Sequence, residues 1–214
     1  MAFRFIPGSS VQVPDIPYRA AVELPAGDTA LVVVDMQNDF VKEGGSLVVP
    51  AAIETVPTIR RLLRDARDAG VRIAYTQDTQ VEDDPEFDIW PPHCLIDTWG
   101  WQIVDELAPL PGDLICRKNR YDGFYGTWLD HFLSNIWKVN NVVIVGTVSN
   151  ICVAHTAASA GLRWYHVVLP ADGMSALTEF DQALTLRQVS SLYNGTVLRR
   201  ADDLSFAASP EPED

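Results

Sequence analysis

Apolar residues collect along this chain in short unbroken runs, separated by stretches of helical spacing. Residues 29–35 read Thr-Ala-Leu-Val-Val-Val and close on Asp35. An unbroken run predicts a strand covered on both faces, because polar alternation disappears when neither side meets water. Similar runs predict strands over residues 71–76, 113–117, 142–145, 165–169 and 196–199. Between the first two, Ile53, Val56, Ile59, Leu62, Leu63 and Ala66 recur at helical spacing, predicting a helix over 51–69 that Gly70 closes. Four more helices are expected: a short one over 101–107, one over 127–138, one opening near Asn150, and one over 179–193. Thr127 is the expected cap of the second, with Asp130 in its first turn. The third carries Ala154, Ala157, Ala158, Ala160 and Gly161, small enough to lie close on a sheet.

Strands therefore alternate with helices. That order predicts an α/β fold of three layers, α/β/α, around a six-stranded parallel sheet. Ligands of such sheets bind beyond the carboxyl ends of the strands. The polar residues expected there are Asp35, Asp78, Lys118, Cys152 and Asp172. Residues 77–98 form a long loop rich in acids and prolines, and long loops in compact domains tend to be functional. Trp90, His93 and Trp99 argue that it is ordered. Residues 1–27, with Pro7, Pro14, Pro17 and Pro25, read as an irregular arm, and 207–214 as a disordered acidic tail. The whole of 1–214 is expected to form one domain.

Charge narrows the partners. A net charge of −13 leaves no basic stripe for nucleic acid or anionic membrane. No apolar run reaches membrane-spanning length, and no signal-type core opens the chain. Three dispersed cysteines, Cys94, Cys116 and Cys152, form no disulfide framework. A reducing, cytoplasmic setting is expected.

Cys152 falls in the first turn of its expected helix. There the helix dipole and free backbone N–H groups lower a thiol pKa and offer donors to an oxyanion. The plain alternative is a small buried apolar residue. Asp35 and Lys118, at the ends of two other strands, favour the chemical reading. A carboxylate takes the thiol proton and returns it to a leaving amine, while an ammonium steadies both charges. His155, one turn beyond Cys152, is the rival base, but it flanks the helix body and not its open end. No HExxH, GxGxxG, P-loop or GxSxG pattern is present.

Three segments together carry a family resemblance. They are Leu-Val-Val-Val-Asp-Met-Gln-Asn-Asp-Phe over 31–40, Lys118 with Arg-Tyr-Asp-Gly-Phe-Tyr-Gly-Thr over 120–127, and Gly-Thr-Val-Ser-Asn-Ile-Cys-Val-Ala-His-Thr over 146–156. In this order they resemble the signatures of the isochorismatase-like cysteine hydrolases, which include nicotinamidases and N-carbamoylsarcosine amidases. The resemblance implies an Asp35–Lys118–Cys152 triad and a Rossmann-like strand order of 3-2-1-4-5-6. It also implies an oxyanion hole from the Val148 and Cys152 amides and a cis peptide between Val148 and Ser149, where the family usually has Thr at 149. Members acting on isochorismate itself lack the cysteine. An amidohydrolase acting on a small carboxamide or ureide is therefore expected, assembled as a homo-oligomer, a dimer or tetramer. The alternatives are a metal-dependent nicotinamidase and a non-catalytic binding protein on the same fold.

Nicotinamidases hold a metal such as zinc or iron through an Asp-x-His and a later His. Here the matching pieces are Asp78-Thr-Gln and Trp-Pro-Pro-His, so Gln80 replaces one histidine and only Asp78 and His93 remain. Two ligands rarely hold a transition metal, so no cofactor is expected. The aromatic residues expected around a substrate are Phe40, Trp90, Trp99, Tyr121, Phe124 and Tyr125.

Overall fold

A computed structural model describes residue 10 and residues 12–208. In chain order it contains β1 (Val22–Pro25), β2 (Thr29–Val34), α1 (Asn38–Val41), α2 (Ala52–Ala69), β3 (Arg72–Asp78) and β4 (Leu114–Lys118). There follow α3 (Leu129–His131), β5 (Asn141–Thr147), α4 (Ala154–Leu162), β6 (His166–Pro170), β7 (Met174–Ser175), α5 (Glu179–Leu192), β8 (Thr196–Leu198) and β9 (Leu204–Ala207).

The main sheet runs β4-β3-β2-β5-β6-β8, all parallel, which is the expected order. A seventh strand, β7, pairs with the end of β5 through Gly146↔Met174 and Thr147↔Ser175. Two core clusters cover the two faces. All six residues of β2 are buried, with Leu31 and Val33 in one cluster and Val32 and Val34 in the other. Strand β2 thus lies at the middle of the sheet, between β3 and β5, with β4 beyond β3. Helix α2 lays Val56, Ile59, Leu62, Leu63 and Ala66 on one cluster and ends at Gly70, whose φ of 83° is the left-handed cap glycine allows. Gly146 is required for a different reason. A Cβ there would lie 2.1 Å from the Val34 carbonyl, so only glycine lets β5 pass close to the end of β2.

Some elements differ from the sequence reading. The expected helix over 101–107 is only a 3₁₀ turn, Asp105–Leu107. Ile103 bridges Gln37 and the Val104 amide donates to the Met36 carbonyl at 2.9 Å, so this backbone serves the turn after β2. The segment after Thr127 is helical from Leu129, with the Thr127 hydroxyl accepting from the Leu129 amide at 3.2 Å, and continues as a π-helical turn, Phe132–Ile136. The arm is not wholly irregular: β1 pairs with β9 in a separate two-stranded sheet, Val22 opposite Leu204. Ala207 closes β9, while 209–214 and most of 1–11 lie outside the described residues. Among the described residues no helix is long and apolar enough to cross a membrane.

Candidate active site

Three strand ends meet at one point. Asp35 follows β2 with a φ of 49°, a left-handed conformation that turns the chain sharply off the sheet. Its Oδ1 accepts from the Thr76 hydroxyl of β3 at 2.7 Å. Its Oδ2 lies 2.7 Å from Lys118 Nζ at the end of β4, and both side chains are fully buried. Lys118 Nζ also lies 3.3 Å from Asp78 Oδ1 and 3.7 Å from Cys152 Sγ. Cys152 belongs to a π-helical turn, Ser149–Val153, that leads from β5 into α4. That turn is tied down from α5 and β7. Thr185 donates to the Ser149 carbonyl, and the Ser149 hydroxyl donates to the Ser175 carbonyl, both at 2.9 Å.

Electrostatics here differ from the expectation of a lowered thiol pKa. Burial pushes the Cys152 thiol well above its ordinary value, against the opposing pull of the Lys118 ammonium, and the Asp35 and Asp78 charges add to the rise. Burial likewise raises Asp35, although Lys118 opposes it. Burial alone would lower Lys118; the charges of Asp35, Cys152 and Asp78 outweigh it and hold the ammonium well above its usual range. At rest the site therefore holds a protonated thiol beside a carboxylate with raised proton affinity. The helix start does not by itself supply a thiolate, so a proton must move when the sulfur attacks.

Cys152 lines a cleft with about 520 Å³ of empty space, counting its open mouth. Of the six expected aromatics, Phe40, Trp90 and Tyr121 line it. Trp99, Phe124 and Tyr125 do not. Phe124 is buried in the core under Tyr165 and Arg163, while Trp99 and Tyr125 are 51% and 62% exposed. Sequence reading missed the aliphatic wall, Leu47, Val48, Val49, Ile151 and Leu177. It also missed Glu86, which stood among many acids in one loop without a distinguishing signal. His155 is exposed, bonded through Nδ1 to the Ile151 carbonyl at 2.7 Å, and off the cleft. The cis peptide joins Thr147 to Val148, one residue earlier than expected. Val148 still lines the cleft beside Cys152.

Asp78, Glu86 and His93 bring candidate ligand atoms within 4.8 Å of one another. This cluster does not fit the zinc or iron that the resemblance implies. His93 Nδ1 lies 2.8 Å from the Pro91 carbonyl, and Nε2 lies 3.2 Å from Asp78 Oδ2. Burial pulls its pKa down, but the bonds to Asp78 and Pro91 prevail and hold it above the ordinary value. Nε2, the nitrogen nearest the other two residues, is thus already paired with a carboxylate. Asp78 Oδ1 already faces Lys118 and accepts from Gln80 Nε2 at 3.2 Å. Gln80 thus serves the carboxylate where a second imidazole would serve an ion. What remains is Glu86 Oε2, buried without a hydrogen-bond partner, its nearest cation Arg120 at 3.7 Å.

A model of the isochorismatase domain matches residues 29–202. The ureidoacrylate amidohydrolase RutB of Stutzerimonas stutzeri is 32% identical over 228 residues, covering 94% of this chain and 91% of that protein. Among solved structures, N-carbamoylsarcosine amidase from Thermoplasma acidophilum aligns with a TM-score of 0.74 and 35% identity, covering 80% of this chain and 96% of that one. Pyrazinamidase of Pyrococcus horikoshii in complex with zinc aligns with a TM-score of 0.72 and 28% identity, covering 85% and 99%.

Proposed function

The chain belongs to the isochorismatase family, and on that premise we propose that it is a cysteine-dependent amidohydrolase that cleaves a carbon–nitrogen bond of a small carboxamide or ureide. Relatives named as a ureidoacrylate amidohydrolase and an N-carbamoylsarcosine amidase support an amidase acting on small molecules. The observation that carries the cysteine mechanism is the buried meeting of Asp35, Lys118 and Cys152 at the lip of the cleft.

The steps follow from the proton affinities. Asp35 takes the thiol proton as Cys152 Sγ attacks the substrate carbonyl. The raised proton affinity of Asp35 suits it to receive that proton, and Lys118 compensates the charge on whichever partner is anionic. The oxyanion rests on the Val148 and Cys152 amides. Collapse breaks the C–N bond, and Asp35 returns its proton to the departing amine or ammonia. A thioester remains on Cys152. Asp35 then takes a proton from water, the hydroxide adds to the thioester, and the C–S bond breaks to release the acid while Asp35 returns that proton to Sγ and restores the thiol.

Acid quench and mass analysis test the pathway. The protein, mixed with small amides and ureides and quenched during turnover, is expected to carry the acyl mass on Cys152. Steady ammonia release with no such adduct under any quench time, and undiminished by prior alkylation of Cys152, would overturn the covalent route.

A further inference from the structure

Among the described residues, the proposed substrate cleft has an aliphatic lining, two acids and no free cation. We propose that it selects amides whose acyl part is uncharged or cationic and excludes carboxylate-bearing ones, and that Glu86 determines this choice. The inference rests on the amidase reading and names its substrate class. Phe40, Val48, Val49, Ile151 and Leu177 give one side of the cleft an apolar lining. Asp78, Glu86 and His93 line the same cleft.

Every nearby cation is already engaged. Lys118 is fully buried between Asp35 and Asp78, and it is not part of the cleft lining. His93 points Nε2 at Asp78 and Nδ1 at Pro91, so it has no proton left for a ligand. Arg120 holds both oxygens of Asp84 at 3.1 Å, bonds the Asn119 carbonyl, and stands 3.7 Å from Glu86 Oε2, too far to donate a hydrogen bond to it. A substrate carboxylate would meet the Tyr121 hydroxyl as its one free side-chain donor and two acids beside it, which costs binding. Glu86 Oε2 has the opposite need. It is a buried acceptor without a hydrogen-bond partner at the cleft wall, and a substrate N–H or a cationic group satisfies it. The Tyr121 hydroxyl, which accepts from Trp90 Nε1 at 3.0 Å, keeps its own proton for a substrate carbonyl.

Alkylation of Cys152 reads this selection without requiring turnover. Iodoacetamide and iodoacetate differ in charge and little in size. The full chain is treated with each, and the Cys152 peptide is quantified by mass spectrometry, with glutathione in the same buffer as reference. The neutral-to-anionic rate ratio at Cys152 is expected to exceed that of glutathione by about tenfold or more, and E86Q is expected to move it back toward glutathione. A ratio at or below that of glutathione overturns the inference, as does failure of both reagents to reach Cys152 or a folded E86Q with an unchanged ratio. The wild-type ratio decides alone should E86Q not fold. A second arm compares ammonia release from matched amides with and without a carboxylate. Charge selection in alkylation with no amide hydrolysed leaves this inference standing and removes the amidase reading. Faster hydrolysis of the carboxylated amide removes this inference and leaves the amidase reading standing.

Discussion

Replacing Lys118 with methionine removes the ammonium and keeps most of the side-chain volume. Asp35 Oδ2 lies 2.7 Å and Asp78 Oδ1 3.3 Å from that nitrogen, with the Asp35 side chain at 0% and Asp78 at 5% exposure. At an effective dielectric near 20 these separations correspond to gross attractions of about 6 and about 5 kcal/mol. Most of that only offsets the desolvation of the three charges, so the measurable loss on removing one partner is about 3–5 kcal/mol. The loss depends on pH in a defined direction. Asp35 already binds its proton more tightly folded than unfolded, and K118M raises that folded pKa further. A raised carboxylate disfavours the folded state increasingly as pH rises above its unfolded pKa, fully once pH passes its folded pKa, and not below the unfolded value. The difference between wild type and K118M is therefore largest at pH 8 and shrinks as pH falls and Asp35 protonates. Urea unfolding at pH 8, 6.5 and 5 measures it, and with a slope near 2 kcal/mol/M the midpoint moves by about 2 M at pH 8. A loss under about 1 kcal/mol at pH 8, or one that grows toward pH 5, refutes the reasoning.

Thr76→Val removes the hydroxyl that holds Asp35 Oδ1 at 2.7 Å while keeping the shape, and is expected to cost about 1.5–3 kcal/mol of stability, with Thr76→Ser recovering most of it. Gly100→Ala places a Cβ 2.2 Å from the Asp39 carboxylate, which accepts from the Ser46 and Cys94 amides and ties two walls of the cleft together. A loss of about 1–3 kcal/mol in chemical unfolding is expected, and no loss would show that Asp39 moves freely. His93 binds its proton more tightly folded than unfolded, so its pairing with Asp78 contributes stability below pH 6.5 that fades as pH rises through the folded pKa. In unfolding series from pH 6 to 9, H93Q is expected to lose part of that slope, and an unchanged slope would show that His93 stays neutral.

A parallel sheet covered on both faces was legible because β2, β3 and β5 form largely apolar runs, whereas its strand order came only from the family resemblance. The three side chains proposed to react were legible for a related reason: each is the first or nearly the first polar residue after such a run, or opens the helix that follows one. What the sequence could not show were arrangements that depend on side chains meeting across the chain. Glu86 looked like its acidic neighbours until the loop placed it beside Asp78 and His93. Trp99, Phe124 and Tyr125 followed the right strands, but one turned into the core and two turned to water. The thiol pKa was misjudged because the helix start is visible in sequence whereas the depth of burial is not. The 101–107 segment had helical composition, yet its backbone groups pair with Met36 and Gln37.

The central claim is that Cys152 Sγ attacks the substrate carbonyl. It is tested most directly by ammonia release from a panel of small amides and ureides by wild type and by Cys152→Ala, with both proteins confirmed folded. The account predicts that wild type hydrolyses at least one uncharged amide or ureide and that the alanine variant releases no ammonia from it. Full turnover by the variant would contradict the account.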